Sequence, residues 1–372
     1  MKKLVFSAMK TALKNAGPSG GLDAFFADIR RASLDTPGSA GQPVVRPKEE
    51  LAVPHLWKNA EIRRLLKTSE HVALDERRML RFVNPGTPGW KYVTPTLSVS
   101  IQQILPGEVA VPHRHTASAI RFFLEGSSYT TVEEDKCEMR RGDLVVTPGW
   151  EWHDYGNESQ EPGIWIDALD LPMIQYLDSC GYLKSIDEEV GYEVSKEPKL
   201  KARASGISEQ RYAAVGLKPM TEASGTSRRA GLIHYRWENT RAALDRLAAS
   251  GESNAFDDIL MEYVDPATAR SVYPTFACCI QMIRPGVHTL AHRQASSAVY
   301  YVLEGEGRTV VGGRVYEWGA GDFFVVPSYF WHEHAGTGAA PAILFSVQDF
   351  PLMKNLGIYR EERHPEGRQK LG

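Results

Sequence analysis

The feature that most constrains this 372-residue chain is that it repeats itself. Pro106-Gly107 returns as Pro285-Gly286, His113 as His292, Gly126 as Gly305, and Gly142-Asp143 as Gly321-Asp322. Pro148 returns as Pro327 and Trp152-His153 as Trp331-His332, all at one offset of 179. Pro95-Thr96 and Ile101-Gln102 match Pro274-Thr275 and Ile280-Gln281 at the same offset. Chance does not hold one ungapped offset over such a span, so the chain carries two copies of one module. A helical stretch with a tryptophan precedes each copy. Leu56-Trp57 leads into EIRRLLK and Arg236-Trp237 into RAALDRLAA, here at an offset of 180.

Each module reads as β-rich. Residues 96–104 alternate Leu97, Val99 and Ile101 with Ser98, Ser100 and Gln102, a period of two. Residues 119–124, 128–133, 143–147 and 163–169 are further short apolar runs, punctuated by Pro106-Gly107, Gly126, Gly142, Pro148-Gly149 and Pro162-Gly163. Many short strands at such spacing predict a sandwich or barrel. The expected organisation is an arm over 1–50 (loose over 35–48), a first barrel over 51–185, and a charged linker over 186–232. A second barrel over 233–360 and a frayed tail over 361–372 complete it.

Composition narrows the function classes. With 43 Lys+Arg against 46 Asp+Glu the net charge is −3, which gives no general attraction to nucleic acid or anionic lipid. Apolar residues at 42% suit a globular core. No window reaches the length of a membrane span, and the apolar patch in MKKLVFSAMK is too short for a signal-peptide core. The expectation is a cytoplasmic protein without nucleic-acid or membrane partners. Cys137, Cys180, Cys278 and Cys279 form no CxxC pair, and the adjacent two read as packed strand thiols.

The first module holds the chemistry. It runs Gly107-x5-His113-x-His115, then Gly126, then Gly142-x5-Pro148-x4-His153-x3-Asn157. On a strand, His113 and His115 share a face ~6.6 Å apart along the chain. His153, after the Pro148-Gly149 turn, is the natural third donor from a neighbouring strand, so the trio is a candidate metal site. No carboxylate lies between His113 and Ala119. Three neutral imidazoles leave a bound ion its full charge, which favours an anionic chelating ligand. Imidazole suits Fe, Zn, Cu and Ni alike. Arg121 lies six residues after His115, so unbroken strand parity points it into the same cavity, where it can clamp a carboxylate. The second module has Tyr300 there, and Gln294 replaces the middle imidazole, so that copy reads as degenerate. His334 remains a substitute ligand. Trp150 and Trp152 read as pocket wall or core. His55, His71, His234, His288 and His364 show no ligand spacing.

These landmarks resemble the two cupin motifs, and the doubled module resembles a bicupin: all-β with helical decoration, two jelly-roll barrels. The segments ERRMLRFVNPGTPGWKYVTPTL, ILPGEVAVPHRHTASAIRFFLEG, GDLVVTPGWEWHDYGNE and WIDALDLP carry a narrower resemblance, as do HYRWENTRAALDRL and WHEHAG. It is to the gentisate 1,2-dioxygenase family, with its salicylate, 5-nitrosalicylate and 1-hydroxy-2-naphthoate dioxygenases, over about Leu51 to Tyr359. The resemblance implies one Fe(II) per subunit in the first barrel, held by His113, His115 and His153. It implies a small aromatic acid and O2 as substrates, and a homo-oligomer such as a tetramer. It brings Gln102 and one of Arg77 and Arg78 to the substrate. Strand parity admits one of those two arginines, and Arg77 is favoured. Asp167 is expected to orient a ligand imidazole. Many relatives of this kind carry His-Asp-His where this chain has His153-Asp154-Tyr155. A phenol is a hydrogen-bond donor and a poor base at neutral pH, so Tyr155 directs the expectation from gentisate alone towards 5-substituted salicylates such as 5-nitrosalicylate. Decarboxylase, isomerase or metal- and ligand-binding cupins are the alternatives.

Overall fold

A computed structural model describes residues 24, 27, 28, 31 and 32 of the N-terminal arm, then 51–70, 78–177, 192–212 and 231–371. Met1–Leu51 and Ala52–Gly372 are two compact units, and both barrels lie in the second. The arm over 35–48, His71, Arg77 and Cys180 fall outside the described residues. No helix among the described residues is long and apolar enough to cross a membrane.

Each module supplies eight strands. In the first they are β1 (Ser98–Ile104), β2 (Val109–His115), β3 (Ala119–Glu125), β4 (Ser128–Val132), β5 (Asp135–Met139), β6 (Leu144–Thr147), β7 (His153–Gly156) and β8 (Gly163–Leu169). In the second they are β9 (Ala277–Ile283), β10 (His292–Gln294), β11 (Ala298–Glu304), β12 (Glu306–Val311), β13 (Arg314–Gly319), β14 (Phe323–Val326), β15 (His332–Gly336) and β16 (Ala342–Gln348). In the first barrel β6-β3-β8-β1 form one sheet and β2-β7-β4-β5 the other, and the second repeats the pattern. The period-two runs thus became strands, and Gly126 and Gly305 sit at positive φ in the turns between them.

The barrels exchange their leading segments. Strand His55–Trp57 pairs with β14 of the second barrel, Leu56 opposite Phe324. Strand His234–Tyr235 pairs with β6 of the first, His234 opposite Val145. Helix α1 (Asn59–Ser69) starts where the Asn59 amide donates to Asp322 Oδ1 at 2.8 Å. The long helix Trp237–Ser250 starts where the Trp237 amide donates to Asp143 Oδ1 at 2.8 Å. The repeated Gly-Asp pair therefore receives the other module's helix. The aspartate caps the first turn. The glycine gives positive φ and close approach, because a Cβ at Gly142 would meet the Trp237 ring at 2.5 Å. Asn59 and Trp237 are thus the equivalent positions, an offset of 178, and the match of Trp57 with Trp237 at 180 is incidental. The capping turn, not the tryptophan, sets the register.

Burial places the apolar faces between the barrels. Every residue of β1 is buried, but Val99 and Ile101 join a core that also contains Ile280, Met282 and Phe345 of the second module. Phe122 stacks on Phe345 with centroids 3.9 Å apart. Ser98, Ser100 and Gln102, on the opposite face of β1, are buried too and face the first barrel's lumen, not solvent. Matched bonds cross the pseudo-twofold: Thr275 donates to Asp170 at 2.7 Å, and Thr96 bonds Asp349.

Two expectations change. Within the charged linker, Tyr192–Val194 pairs with β2 and Ala204–Ser205 with β5, extending the first barrel's sheet. The tail is tied down: Glu361–Arg363 pairs with β10, and the Gln369 side-chain Nε2 donates to the Val310 carbonyl at 3.0 Å. In both cases polar side chains decorate backbone that covers a sheet edge. Arg114 meets Glu193 of the linker strand, and its repeat equivalent Arg293 meets Glu362 of the tail strand.

Candidate metal centre and substrate site

The three histidines converge. His113 on β2 lies directly opposite His153 on β7, and their ring centroids are 4.3 Å apart. His115 stands 4.9 Å from His153 and 5.9 Å from His113. One donor atom from each ring lies within 4.8 Å of the others. His113 and His153 are buried, whereas His115 is half-buried at the rim.

Backbone carbonyls set the tautomers. Nδ1 of His113 donates to Val111 O at 2.9 Å, Nδ1 of His115 to Ala117 O at 2.7 Å, and Nδ1 of His153 to Glu151 O at 2.9 Å. A carbonyl accepts only, so each Nδ1 carries the proton and each Nε2 keeps its lone pair. His153 Nε2 is buried with no hydrogen-bond partner. Burial, then the neighbouring His113, His115 and Arg121, hold the His153 imidazolium pKa well below its usual value, so the ring is neutral. A buried, neutral, unpartnered nitrogen among two like donors fits a divalent transition metal. Among the described residues no carboxylate joins the group, and at the Ala119 position it is the carbonyl that is used, accepting from Tyr273 Oη of the second module at 2.8 Å.

Arg121 reaches this lumen by a route the parity argument did not foresee. His115 ends β2, residues 116–118 bend, and β3 belongs to the facing sheet. Arg121 is 4% exposed. Its Nη1 donates to Thr130 Oγ1 and Thr147 Oγ1, each at 3.2 Å. Its Nε lies 3.5 Å from Asp167 Oδ1, and its guanidinium sits 5.0 Å from the centre of the Tyr155 ring. Asp167 is therefore held against Arg121, while carbonyls occupy the imidazole Nδ1 atoms. Gln102 Nε2 donates to Tyr155 Oη at 2.5 Å, and Tyr155 stands edge-on to His113 at 6.4 Å. Gln102, Arg121, Tyr155 and Asp167 thus form one buried polar group beside the trio. Arg78 is committed elsewhere, its Nη1 meeting both Glu108 oxygens at 2.6 and 2.7 Å. It pairs with Gln103, on the face opposite Gln102.

The sequence reading missed Thr130 and Thr147, because an isolated threonine on a strand carries no signature. Trp150 and Trp152 sandwich Arg114 instead of lining the lumen. Asn157 braces a turn, donating to Ile104 O and Glu161 O. Cys137, Cys278 and Cys279 are buried free thiols.

The second barrel is differently furnished. His292 and His332 keep the ring geometry at 4.4 Å, but Gln294 takes a hydrogen bond from Ser296. Burial lowers His292 to about 4, and His332 and His334 to about 3. Tyr300 and Phe324 stack at 4.6 Å, and Trp318 lies near-parallel to Phe324 at 6.1 Å. Arg121, Val145 and Met139 occupy those positions in the first barrel.

The family described as Cupin domain matches residues 100–169 and 279–348. The chain is 36% identical to a 5-aminosalicylate 1,2-dioxygenase of Comamonas sp., over 92% of this chain and 90% of that protein. It is 35% identical to gentisate 1,2-dioxygenase 1 of Aquipseudomonas alcaligenes, over 86% and 89%. A salicylate 1,2-dioxygenase from Pseudoaminobacter salicylatoxidans, solved as an adduct with gentisate, superposes with a TM-score of 0.81 at 30% identity, covering 94% of this chain and 96% of that one. With two cupin barrels, a histidine trio in the first and this degree of likeness over nearly its whole length, the chain belongs to the gentisate 1,2-dioxygenase family of bicupin ring-cleaving dioxygenases.

Proposed function

We propose that this chain is an Fe(II)-dependent 1,2-dioxygenase that opens the ring of a 2-hydroxybenzoate between the carbons bearing carboxylate and hydroxyl. Both oxygen atoms of O2 enter the product, an open-chain oxo-diacid. His113, His115 and His153 hold the iron in the first barrel. Once bound, the ion would supply Lewis acidity and one-electron redox chemistry.

The chain's own residues do the rest. Arg121, fixed on one side by Thr130, Thr147 and Asp167, directs positive charge at the substrate carboxylate and aligns it. Asp167 acts through Arg121 by keeping the guanidinium in place. Gln102 holds the Tyr155 hydroxyl, which donates a hydrogen bond to the bound acid. Arg77, ahead of strand Arg78–Arg81, is assigned to the same anion by resemblance. With the phenol of Tyr155 in the pocket, 5-substituted salicylates are the favoured substrates, 5-aminosalicylate and 5-nitrosalicylate among them, with gentisate, salicylate and 1-hydroxy-2-naphthoate as the other members of the class. We read the chain as cytoplasmic from its sequence, and as a homo-oligomer from the family resemblance.

The observation that carries this reading is a histidine trio whose donor atoms lie within 4.8 Å of one another, in a barrel that also buries the Arg121 guanidinium. The test is oxygen uptake by iron-reconstituted protein offered gentisate, 5-aminosalicylate, 5-nitrosalicylate and salicylate in turn. One mole of O2 consumed per mole of acid, with loss of aromatic absorbance, supports it. Tight anaerobic binding of all four acids with no uptake on admitting air makes the protein a binding cupin instead.

A further inference from the structure

The side of the first barrel that turns away from the histidine trio is built around one guanidinium. His113 and His115 share a face of β2, so Arg114 between them points to the other side of the sheet. There its guanidinium lies over the Trp150 ring at 4.4 Å and the Trp152 ring at 4.8 Å. Its Nε and Nη2 donate to Glu193 Oε2 at 3.0 and 2.8 Å. Glu193 is the residue that strand Tyr192–Val194 sets directly opposite Arg114. One cation thus joins β2, the turn before β7 and the linker strand.

The turn is bent to make this stack. Trp150 has a φ of 70°, a left-handed conformation that is costly for a residue with a bulky side chain. Its amide donates to the His115 carbonyl at 2.7 Å. Between the two tryptophans stands Glu151, whose carbonyl accepts from His153 Nδ1 at 2.9 Å. All three imidazoles therefore hang from backbone next to the clamp. Two flank Arg114, and the third follows Trp152 and is oriented by the carbonyl between the tryptophans. Groups behind the ligands that fix ring orientation govern metal affinity.

The second barrel keeps the stack but has Gln294 where the first has His115. Arg293 lies over Tyr329 and Trp331, each at 4.4 Å, and pairs with Glu362 at 2.6 Å. Tyr329 has a φ of 67°, and its amide donates to the Gln294 carbonyl at 2.7 Å. The same clamp therefore exists with and without a histidine trio in front of it, and the second copy measures what the stack contributes to the fold alone.

We propose that Arg114 is a positioning residue for the metal centre: stacked on Trp150 and Trp152 and anchored by Glu193, it holds the three imidazoles in the arrangement that binds the ion. The proposal rests on the reading that His113, His115 and His153 bind a divalent metal. Loss of the clamp lets the turn relax from its left-handed φ and moves the Glu151 carbonyl from His153 Nδ1. Metal affinity then falls with all three donors still present.

The test measures metal affinity and needs no turnover. Metal-free full-length chain is titrated anaerobically with Co(II), followed by visible ligand-field absorption, and Kd is fixed by competition with a chelator. Arg114→Ala is expected to raise Kd about 10–100-fold. Trp152→Leu is expected to weaken binding, and Trp152→Phe to restore it to within about threefold, because a phenyl face keeps the cation–π contact. Arg293→Ala strips the equivalent stack from the second barrel and is expected to leave Kd at the wild-type value. Near-ultraviolet circular dichroism reports folding, and where Arg114→Ala does not fold, Glu193→Gln decides, with about tenfold weaker binding expected. A wild-type Kd in the deciding variant, equal Kd values in Trp152→Leu and Trp152→Phe, or an equal loss in Arg293→Ala overturns the proposal and leaves the metal centre standing. Wild-type protein that binds no Co(II) overturns the metal centre and this proposal with it.

Discussion

The two barrels share strand order, turn glycines and a histidine pair, yet their lumens are opposites. Around the first histidine trio stand Arg121, Gln102, Tyr155 and Asp167, a polar group held by threonines. Around the second stand Tyr300, Phe324 and Trp318, packed ring on ring. One fold therefore encloses a polar, histidine-lined group in one copy and stacked aromatic rings in the other. The difference rests on few positions, because strand parity sends alternate residues of the same strands either to the lumen or to the shared core. The outward faces, Phe122 against Phe345, are kept apolar in both copies. They cannot diverge without parting the barrels.

Breaking the asymmetry at the metal has the largest expected effect. His113→Ala removes one of three donors from the first barrel and is expected to abolish ring cleavage, a loss of more than about 10³-fold, together with bound iron, as read by oxygen uptake and metal analysis. His292→Ala in the second barrel should leave turnover within about threefold. Equal loss from the two variants would erase the functional contrast.

Arg121→Ala comes next. It is expected to keep iron and lower kcat/KM by about two to three orders of magnitude, about 3–4 kcal/mol. Iron-free Arg121→Ala protein would show that the arginine supports the ligands and not the substrate. Tyr155→His gives the second module's residue type to the first lumen. It is expected to move the gentisate to 5-nitrosalicylate preference ratio about tenfold towards gentisate, measured as the ratio of the two kcat/KM values, and an unchanged ratio removes Tyr155 from the specificity argument.

The smallest effect is expected where the exchanged segments meet the capping aspartates. Asp322 is paired with Lys58 Nζ at 2.8 Å, whereas Asp143 meets His234 Nε2 at 3.2 Å. Burial pulls the His234 ring down, but its bonds to Asp143 and Glu209 outweigh this and its pKa ends raised. Burial likewise raises Glu209, and its bonds to His234 and Arg236 bring it down to about 2. The histidine's contribution is complete below its unfolded pKa of about 6.5 and disappears as pH rises through the raised value. Glu209 contributes above about pH 4.5 and loses this as pH falls towards about 2. The Tm difference between wild type and His234→Gln should accordingly shrink as pH rises from about 6 to 9.

How much of this could be read beforehand depended on what each feature rests on. The repeat, the strands and the histidine trio were legible because they rest on local rules. Two histidines two apart share a face wherever the backbone is extended, and Gly142-Asp143 marks a turn wherever it occurs. The resemblance then named the chemistry. The exchange of leading segments was not legible, since which sheet a short strand such as His55–Trp57 joins depends on an edge 268 residues away, where Phe324 pairs with Leu56. Nor was it legible that the polar face of β1 turns inward, because Ser98 and Gln102 are polar whether they meet water or a lumen.

What the amino-acid order determined alone was therefore the duplicated module, its periodicity and the donor chemistry of His113, His115 and His153. Only the tertiary structure decided which nitrogen of each ring carries the proton, since that follows from carbonyls of Val111, Ala117 and Glu151 held at hydrogen-bond distance. It alone also decided that Arg121 enters from the opposite sheet, and that Glu193 meets Arg114. Local order sets side-chain type and parity, but the approach of groups distant in the chain is set by how the sheets close and pack.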